Sequence, residues 1–190
     1  YKSKINRVVK KLYERNADFQ FITSSENNAW LLNIRGKDSK FTPIPHCHML
    51  ISKSKKIFLF CDQSKISGSM RKKLGKIKFL NIDRLTNFLQ SIKNKKFIID
   101  SNTCSFFYEK LILKNNKILN FEDPIYLFKS IKTRKEIQNI KKAHISDGVA
   151  LTKYLLWLKK NFPNKNITEL SAEKKLLYFR KKNNDFLFSS

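Results

Sequence analysis

The sequence predicts an α/β protein built around a mixed β-sheet. Short apolar runs at residues 18–23, 57–61 and 97–99 alternate with segments in which apolar residues recur every three or four positions, as in amphipathic helices. The runs at 46–51 and 57–61 are separated by a short polar segment and therefore predict an antiparallel hairpin. Alternating strands and helices of this length are typical of a layered α/β domain, and the hairpin makes its sheet mixed.

The first predicted helix covers residues 3–16, with Ser3 as its N-cap. Its buried face is expected to consist of the apolar residues that recur at helical spacing, namely Ile5, Val8, Val9 and Leu12. A short strand at residues 18–23 then leads into the next helix.

The second helix is predicted around Trp30, in an apolar block that ends in Arg35-Gly36-Lys37-Asp38. Ser25 is the expected N-cap, and Gly36 is the expected C-cap because glycine adopts the left-handed conformation at low steric cost. Arg35 and Asp38 flank that turn and are expected to emerge together where the buried element meets solvent. They either stabilise a turn only or form the edge of a functional site, since ligand-contacting residues tend to lie on loops held by a rigid scaffold.

The rest of this domain continues the alternation. Pro43 and Pro45 exclude a helix before the hairpin. The further predicted elements are a helix at 69–74, a strand at 77–82, a helix capped by Asp83 that carries Leu85, Phe88, Leu89 and Ile92, a strand at 97–99, a helix capped by Thr103 that buries Phe106, Phe107 and Leu111, and a strand at 118–121.

A second section begins near Asp123-Pro124, an acid at an N-cap followed by proline in the first turn. Thr133 and Glu136 form a predicted capping box that opens a helix to about Asn161, and Thr168 opens another. Two helices and a tail cannot enclose a core, so we expect them to expose apolar stripes. The predicted domains are therefore 1–127, a complete domain, and 128–190, the incomplete start of another.

The composition restricts the partners. Lys and Arg number 40 against 15 Asp and Glu, a formal net charge of +25, yet the lysines are scattered over every segment and accompany many Asn, Ile and Phe residues. This pattern indicates a general composition bias, so no specific nucleic-acid partner is expected.

No apolar run approaches the roughly 20 residues of a membrane span, and no membrane partner is expected. The three cysteines lack a C-x-x-C pattern, which favours a reducing compartment, the cytoplasm.

Histidines offer few candidate metal ligands. His46 and His48 would share one face of a strand and could form a zinc or nickel pair, but no third ligand is nearby in sequence and metal binding is not expected there. His144 lies in the apolar stripe of the long predicted helix, three residues before Asp147, and is expected to be a packed structural histidine.

Three sequence blocks in order resemble the Xaa-Pro aminopeptidases, the three-domain branch of the aminopeptidase P and creatinase family. They are Ala29-Trp30-Leu31-Leu32-Asn33-Ile34-Arg35-Gly36-Lys37-Asp38, the segment from Lys135 to Leu151 with Trp157-Leu158, and Ile167-Thr168-Glu169-Leu170-Ser171-Ala172-Glu173-Lys174. The resemblance covers nearly the whole chain. It implies that residues 1–127 are the second of two creatinase-type N-terminal domains and that residues 128–190 begin a pita-bread peptidase domain.

The resemblance also implies an activity. The family removes the N-terminal residue from peptides with proline in the second position, usually as homodimers, with two divalent metal ions, commonly Mn, bound by two aspartates, a histidine and two glutamates. Those ligands would follow Ser190. We therefore expect an internal piece of the enzyme that binds no metal, contains no catalytic residue and is inactive alone, with the family's first catalytic strand beginning near Asp185-Phe186 and Ser189-Ser190.

One alternative and one departure remain open. The alternative is a noncatalytic pita-bread relative that acts as a protein-binding module, which would differ only in residues beyond this sequence. The departure is Phe41-Thr42-Pro43, where the family often has His-Asn-Pro. Arg35 and Asp38 are the only candidates for a role at the substrate entrance or at a domain contact.

Overall fold

The computed structural model describes residues 1–164 and 166–187. The chain divides into two compact units, Tyr1–Ser130 and Ile131–Ser190. The predicted turn into a strand at Ser189-Ser190 lies outside the described residues. The assignment of the units to particular domains of a longer protein stays a prediction.

The first unit is built on a mixed sheet, which confirms the predicted fold class. In the part of the chain that the structure describes, this sheet has six strands in the order β4-β3-β2-β1-β5-β6. β2 pairs antiparallel with both β1 and β3, and the remaining neighbours are parallel. The strands are β1 Phe19–Ile22, β2 His48–Ser52, β3 Ile57–Phe60, β4 Ile77–Leu80, β5 Lys96–Ile99 and β6 Lys117–Asn120.

Helices cover both faces of this sheet. They are α1 Lys2–Glu14, α2 Ser25–Leu32, α3 Gly68–Lys73, α4 Leu85–Ser91, α5 Phe106–Leu113 and α6 Pro124–Ser130. On one face α1, α2, α3 and α6 pack over a core that contains the predicted α1 residues Val8 and Leu12. On the other face α4 and α5 pack over a second core that contains Leu89 and Ile112. The inner strands β1, β2, β3 and β5 are thus buried between two layers, which explains their mostly apolar sequences.

Several predicted caps in this unit are wrong. The N-cap of α1 is Tyr1, and Ser3 lies inside the helix. Asp83 lies in a 3₁₀ turn, Ile82–Arg84, and the N-cap of α4 is Arg84. Ser105 replaces Thr103 as the N-cap of α5, and the Thr103 hydroxyl instead donates to the carbonyl of Asp100 at 3.3 Å.

The predicted buried face of α5 is only partly correct. Leu111 is buried as expected, together with Ile112, but Phe106 and Phe107 are 69% and 59% exposed. Residues 111 and 112 lie on the side of the helix that faces the sheet, and the two phenylalanines in its first turn point away from it. Apolar composition alone therefore misassigned the first turn of this helix.

The second unit consists of α7 Arg134–Asn161, a 3₁₀ turn Phe162–Asn164 and α8 Glu169–Lys181. The capping box of Thr133 and Glu136 is confirmed, and Thr168 caps α8 as predicted. Asp147 accepts two hydrogen bonds from the Arg180 guanidinium, at 2.7 and 3.0 Å, which fasten α7 to α8.

The helices of this unit expose apolar side chains, as predicted. Ala150 is buried, whereas the exposed residues include Ile137, Ile140, Ile145, Val149, Leu155, Leu156 and Leu170. His144 is exposed, so the prediction of a packed histidine is wrong, because no element among the described residues covers the stripe to which it belongs. Within residues 1–164 and 166–187, no helix combines the length and apolar character needed to cross a membrane.

Candidate functional site

The loop that carries Arg35 and Asp38 follows α2, but its helix ends are shifted from the predicted ones. The N-cap is Ser24, whose hydroxyl accepts a hydrogen bond from the amide of Asn27 at 3.3 Å. The C-cap is Asn33, which adopts the left-handed conformation with φ of 54°. The predictions of Ser25 and Gly36 as caps are therefore wrong. Asparagine tolerates this conformation better than most residues, so the helix ends three residues before the glycine.

Gly36 has a different role, namely to allow two loop segments to approach closely. Its amide donates to the carbonyl of Pro43 at 3.1 Å. A Cβ atom at Gly36 would lie 2.6 Å from Pro45 Cα and 2.7 Å from Pro45 N. Glycine is required here because its backbone touches that of Pro45.

Asp38 is held by two donors. Its carboxylate accepts a hydrogen bond from the backbone amide of His46 at 2.7 Å, and Lys65 Nζ lies 2.5 Å from its Oδ1. Only 10% of the Asp38 side chain is exposed. The hydrogen bond from Lys65 lowers the pKa of Asp38 below its ordinary value, and burial opposes this only in part. Asp38 is therefore an ionised carboxylate at neutral pH.

Arg35 and Asp38 line the same cavity, with a volume of about 400 Å³. The exposed Arg35 guanidinium donates to the carbonyl of Ile34 at 2.8 Å, whereas Asp38 has its own partners. The other lining residues are Ile34, Gly36, Lys37, Pro45, His46, Cys47, Leu59, Cys61, Asp62, Lys65, Ile66, Met70 and Phe79. Apolar side chains form the floor and charged groups the rim, an arrangement suited to a small ligand or a peptide segment.

The sequence-based reasoning missed Lys65 and the two cysteines of this cavity. Lys65 is 27 residues from Asp38, and no local pattern connects them. Cys47 directly precedes β2, Cys61 directly follows β3, and both are buried. Burial raises the pKa of Cys47 to about 12 and that of Cys61 to about 11. Their thiols are therefore protonated at neutral pH. The predicted hairpin of β2 with β3 is the signal from which the proximity of Cys47 and Cys61 could have been predicted.

His46 and His48 have separate environments. His46 lines the cavity, whereas His48 packs against Phe21 and Tyr108 with ring centroids 6.0 and 5.4 Å away. Burial lowers the pKa of His48. Among the residues that the structure describes, no group of three or more His, Cys, Asp and Glu side chains is arranged to hold a metal ion.

A second polar cluster lies beneath α6. The Asp123 carboxylate is 5% exposed and accepts hydrogen bonds from Gln20 Nε2 and Asn27 Nδ2, both at 2.8 Å, and from the amide of Ile125 at 3.1 Å. Burial raises the pKa of Asp123. Because Gln20 is on β1 and Asn27 on α2, the cluster fastens the start of α6 to both. The sequence indicated Asp123 as a helix cap but not as the centre of this network.

The fold and its loops define the class of this protein. Residues 1–136 match the family model for the Creatinase/Prolidase N-terminal domain, and the chain belongs to that family. The predicted resemblance is thereby confirmed at the level of the family.

Individual relatives are similar along almost the whole chain. Xaa-Pro aminopeptidase 1 of Dictyostelium discoideum is 30% identical over 193 residues, which cover 97% of this chain and 30% of that protein. The X-prolyl aminopeptidase of Caenorhabditis elegans, a cytosolic enzyme with a di-nuclear active site, superimposes with a TM-score of 0.88 at 21% identity, over 98% of this chain and 32% of that one. The Xaa-Pro dipeptidase of Bacillus anthracis superimposes with a TM-score of 0.68 at 18% identity, over 95% of this chain and 48% of that one.

The two structural matches show the fold. The chain spans about a third of the length of the curated relatives it matches.

Proposed function

We propose that this chain is part of a longer metal-dependent Xaa-Pro aminopeptidase, which removes the N-terminal residue from peptides with proline in the second position. The observation that carries this proposal is the 30% identity to Dictyostelium Xaa-Pro aminopeptidase 1 along 97% of the chain. The similarity extends through both compact units, which supports the same domain order as in that enzyme and not the sharing of one domain only.

In this proposal the two units have different roles. Residues 1–127 are the second of two creatinase-type N-terminal domains, and the residues from 128 onward include the first helices of a pita-bread peptidase domain. The exposed apolar side chains of α7 and α8 support the second assignment, because such stripes are stable only when another layer covers them.

The described residues do not fit a dinuclear metal centre, since they contain no group of three or more metal-binding side chains. We propose that two divalent ions, Mn in our assignment, are bound by parts of the parent enzyme outside this chain. The chain alone is then inactive, and the parent is a cytoplasmic homodimer without a specific nucleic-acid or membrane partner.

Arg35 and Asp38 are proposed to act at the substrate entrance or at a contact with another domain. Their common cavity supports this role, because it offers a cation and a fixed carboxylate around an apolar floor. In the complete enzyme, Arg35→Ala should lower kcat/KM at least about tenfold, the effect of losing one charged hydrogen bond of about 1.5 kcal/mol. Lys72→Ala, which removes an exposed cation outside the cavity, is the matched control. Unchanged kinetics in Arg35→Ala would refute the role.

The experiment that tests the whole proposal is to read the gene through and beyond the codon for Ser190. An open frame with two aspartates, a histidine and two glutamates at the family's spacing supports it, and the encoded protein should then cleave an X-Pro peptide in the presence of Mn²⁺. A frame without those ligands refutes the enzymatic proposal and favours a noncatalytic relative that acts as a protein-binding module.

A further inference from the structure

Cys47 directly precedes β2 and Cys61 directly follows β3. In the register of β2 with β3, His48 is opposite Phe60. Continued one step beyond the ends of the two strands, the same antiparallel register places Cys47 opposite Cys61. The Cys61 amide donates to the carbonyl of Leu80 at 3.0 Å, so it points toward β4 and away from Cys47.

The two cysteines occupy a non-hydrogen-bonded position of the ladder. At the turn, the Ser52 amide donates to the carbonyl of Lys56 at 2.9 Å, which marks that pair as hydrogen-bonded. The two kinds of pair alternate along an antiparallel ladder, so Cys47 with Cys61, five positions beyond Ser52 with Lys56, is of the other kind. Such pairs have Cα atoms about 4.5 Å apart, within the range of about 4.4 to 6.8 Å that a disulfide can bridge.

Both thiols also face one accessible space. They belong to the same core cluster and line the cavity of about 400 Å³ that Arg35 and Asp38 border. Cys47 is 4% and Cys61 8% exposed, so the cavity is the route by which a small reagent reaches them. Cys104 packs in the core on the opposite face of the sheet and is an internal control.

We propose that Cys47 and Cys61 are an oxidative modification site, at which a small peroxide entering the cavity converts the two thiols into a reversible cross-strand disulfide. One of the two thiols gives up its proton, and its thiolate attacks one peroxide oxygen; the O–O bond breaks, and the other oxygen takes up that proton and leaves as water or an alcohol. The second thiol then attacks the resulting sulfenic sulfur, the S–S bond forms and water leaves. Two electrons pass from the thiols to one peroxide, so the step balances without another reactant.

The chemical environment sets the pH dependence of these steps. Burial raises the pKa of both thiols, to about 12 for Cys47 and to about 11 for Cys61, so only a small fraction of either is thiolate at neutral pH. Only the thiolate reacts, so the rate should rise about tenfold per pH unit between pH 7 and 9. After sulfenic acid forms, the opposite thiol is already in place, which favours the disulfide over further oxidation.

The disulfide would act on the candidate site directly. Cys47 follows His46, whose amide holds the Asp38 carboxylate. A bond from Cys47 to Cys61 would fix that segment against β3 and thereby restrict the cavity wall. This inference does not rest on the proposed peptidase activity.

The test is disulfide mapping of the intact native protein. The protein is treated at pH 9 with an excess of hydrogen peroxide, then unfolded in urea, blocked with N-ethylmaleimide and digested without reduction. We expect the peptides of Cys47 and Cys61 to be joined, with a mass lower by two hydrogen atoms than their sum, and to separate after dithiothreitol. Cys104 should carry the maleimide.

Two variants complete the test. Cys104→Ala should form the same cross-link, and Cys47→Ala should leave Cys61 as a sulfenic or more oxidised acid. The wild-type mapping stands alone if either variant fails to fold. Unreacted cysteines in the native protein, cross-links only between molecules, or a bond that includes Cys104 would each overturn the proposal.

Discussion

Gly36→Ala is the substitution whose effect follows most directly from the structure. The new methyl group would lie 2.6 Å from Pro45 Cα, whereas carbon atoms in contact are normally about 3.5 Å or more apart. The obstacle is backbone, so the loop of Arg35 and Asp38 has to move. Overpacking of this kind costs about 1 to 3 kcal/mol, and we expect a loss of about 2 kcal/mol, or about 6 to 10 °C in Tm for a unit of this size.

Urea unfolding followed by tryptophan fluorescence measures this loss. Trp30 lies in α2 of the first unit and Trp157 in α7 of the second, so the experiment is done in a Trp157→Phe background. Gly68→Ala is the matched control, because a Cβ there meets nothing within 4 Å and the same change should stabilise by up to about 1 kcal/mol. If Gly36→Ala unfolds at the same urea concentration as the parent, the close approach to Pro45 is not a constraint.

Three further predictions concern the polar clusters and the second unit. Asp123→Ala removes the acceptor of three buried donors and should lower the free energy of unfolding in urea by about 3 to 5 kcal/mol. Asp83→Ala, at an exposed position, is the control and should leave it almost unchanged. A loss below about 1 kcal/mol for Asp123→Ala would contradict the role of the network. The pKa of Asp38 is lower in the folded than in the unfolded state, so ionised Asp38 stabilises the fold above the unfolded pKa of about 3.9, and this stabilisation is lost as the pH falls through the folded pKa. The free energy of unfolding of wild type should therefore fall more than that of Asp38→Asn between pH 5 and 2. Parallel plots of unfolding free energy against pH would exclude this stabilisation. In hydrogen exchange, amides of α7 and α8 should exchange faster than those of β5, and equal protection would show that the second unit is not loose in this chain.

Local signals were sufficient for most elements of the fold. The capping box at Thr133 and Glu136 and the hairpin between residues 46 and 61 depend on residues close in sequence, and both are confirmed. The mixed character of the sheet followed from the hairpin. These predictions succeeded because turn chemistry and short-range periodicity act in the folded and the unfolded chain alike.

Choices between neighbouring residues could not be made locally. Asn33 and Gly36 can both end a helix, and the close approach of Pro45 explains why the glycine is needed at the second position instead. Phe106 and Leu111 are equally apolar, but only the latter faces the sheet. Such differences depend on which surface another element covers.

The sequence by itself determined the order of strands and helices, the presence of an apolar block ending in Arg35 and Asp38, and the family resemblance. Only the tertiary structure decided that Asp38 pairs with Lys65, that Cys47 and Cys61 line one cavity, and that Asp123 anchors α6 through Gln20 and Asn27. The physical reason is that periodicity and caps are properties of short segments, whereas ion pairs, buried networks and cavities form between segments that the sheet brings together.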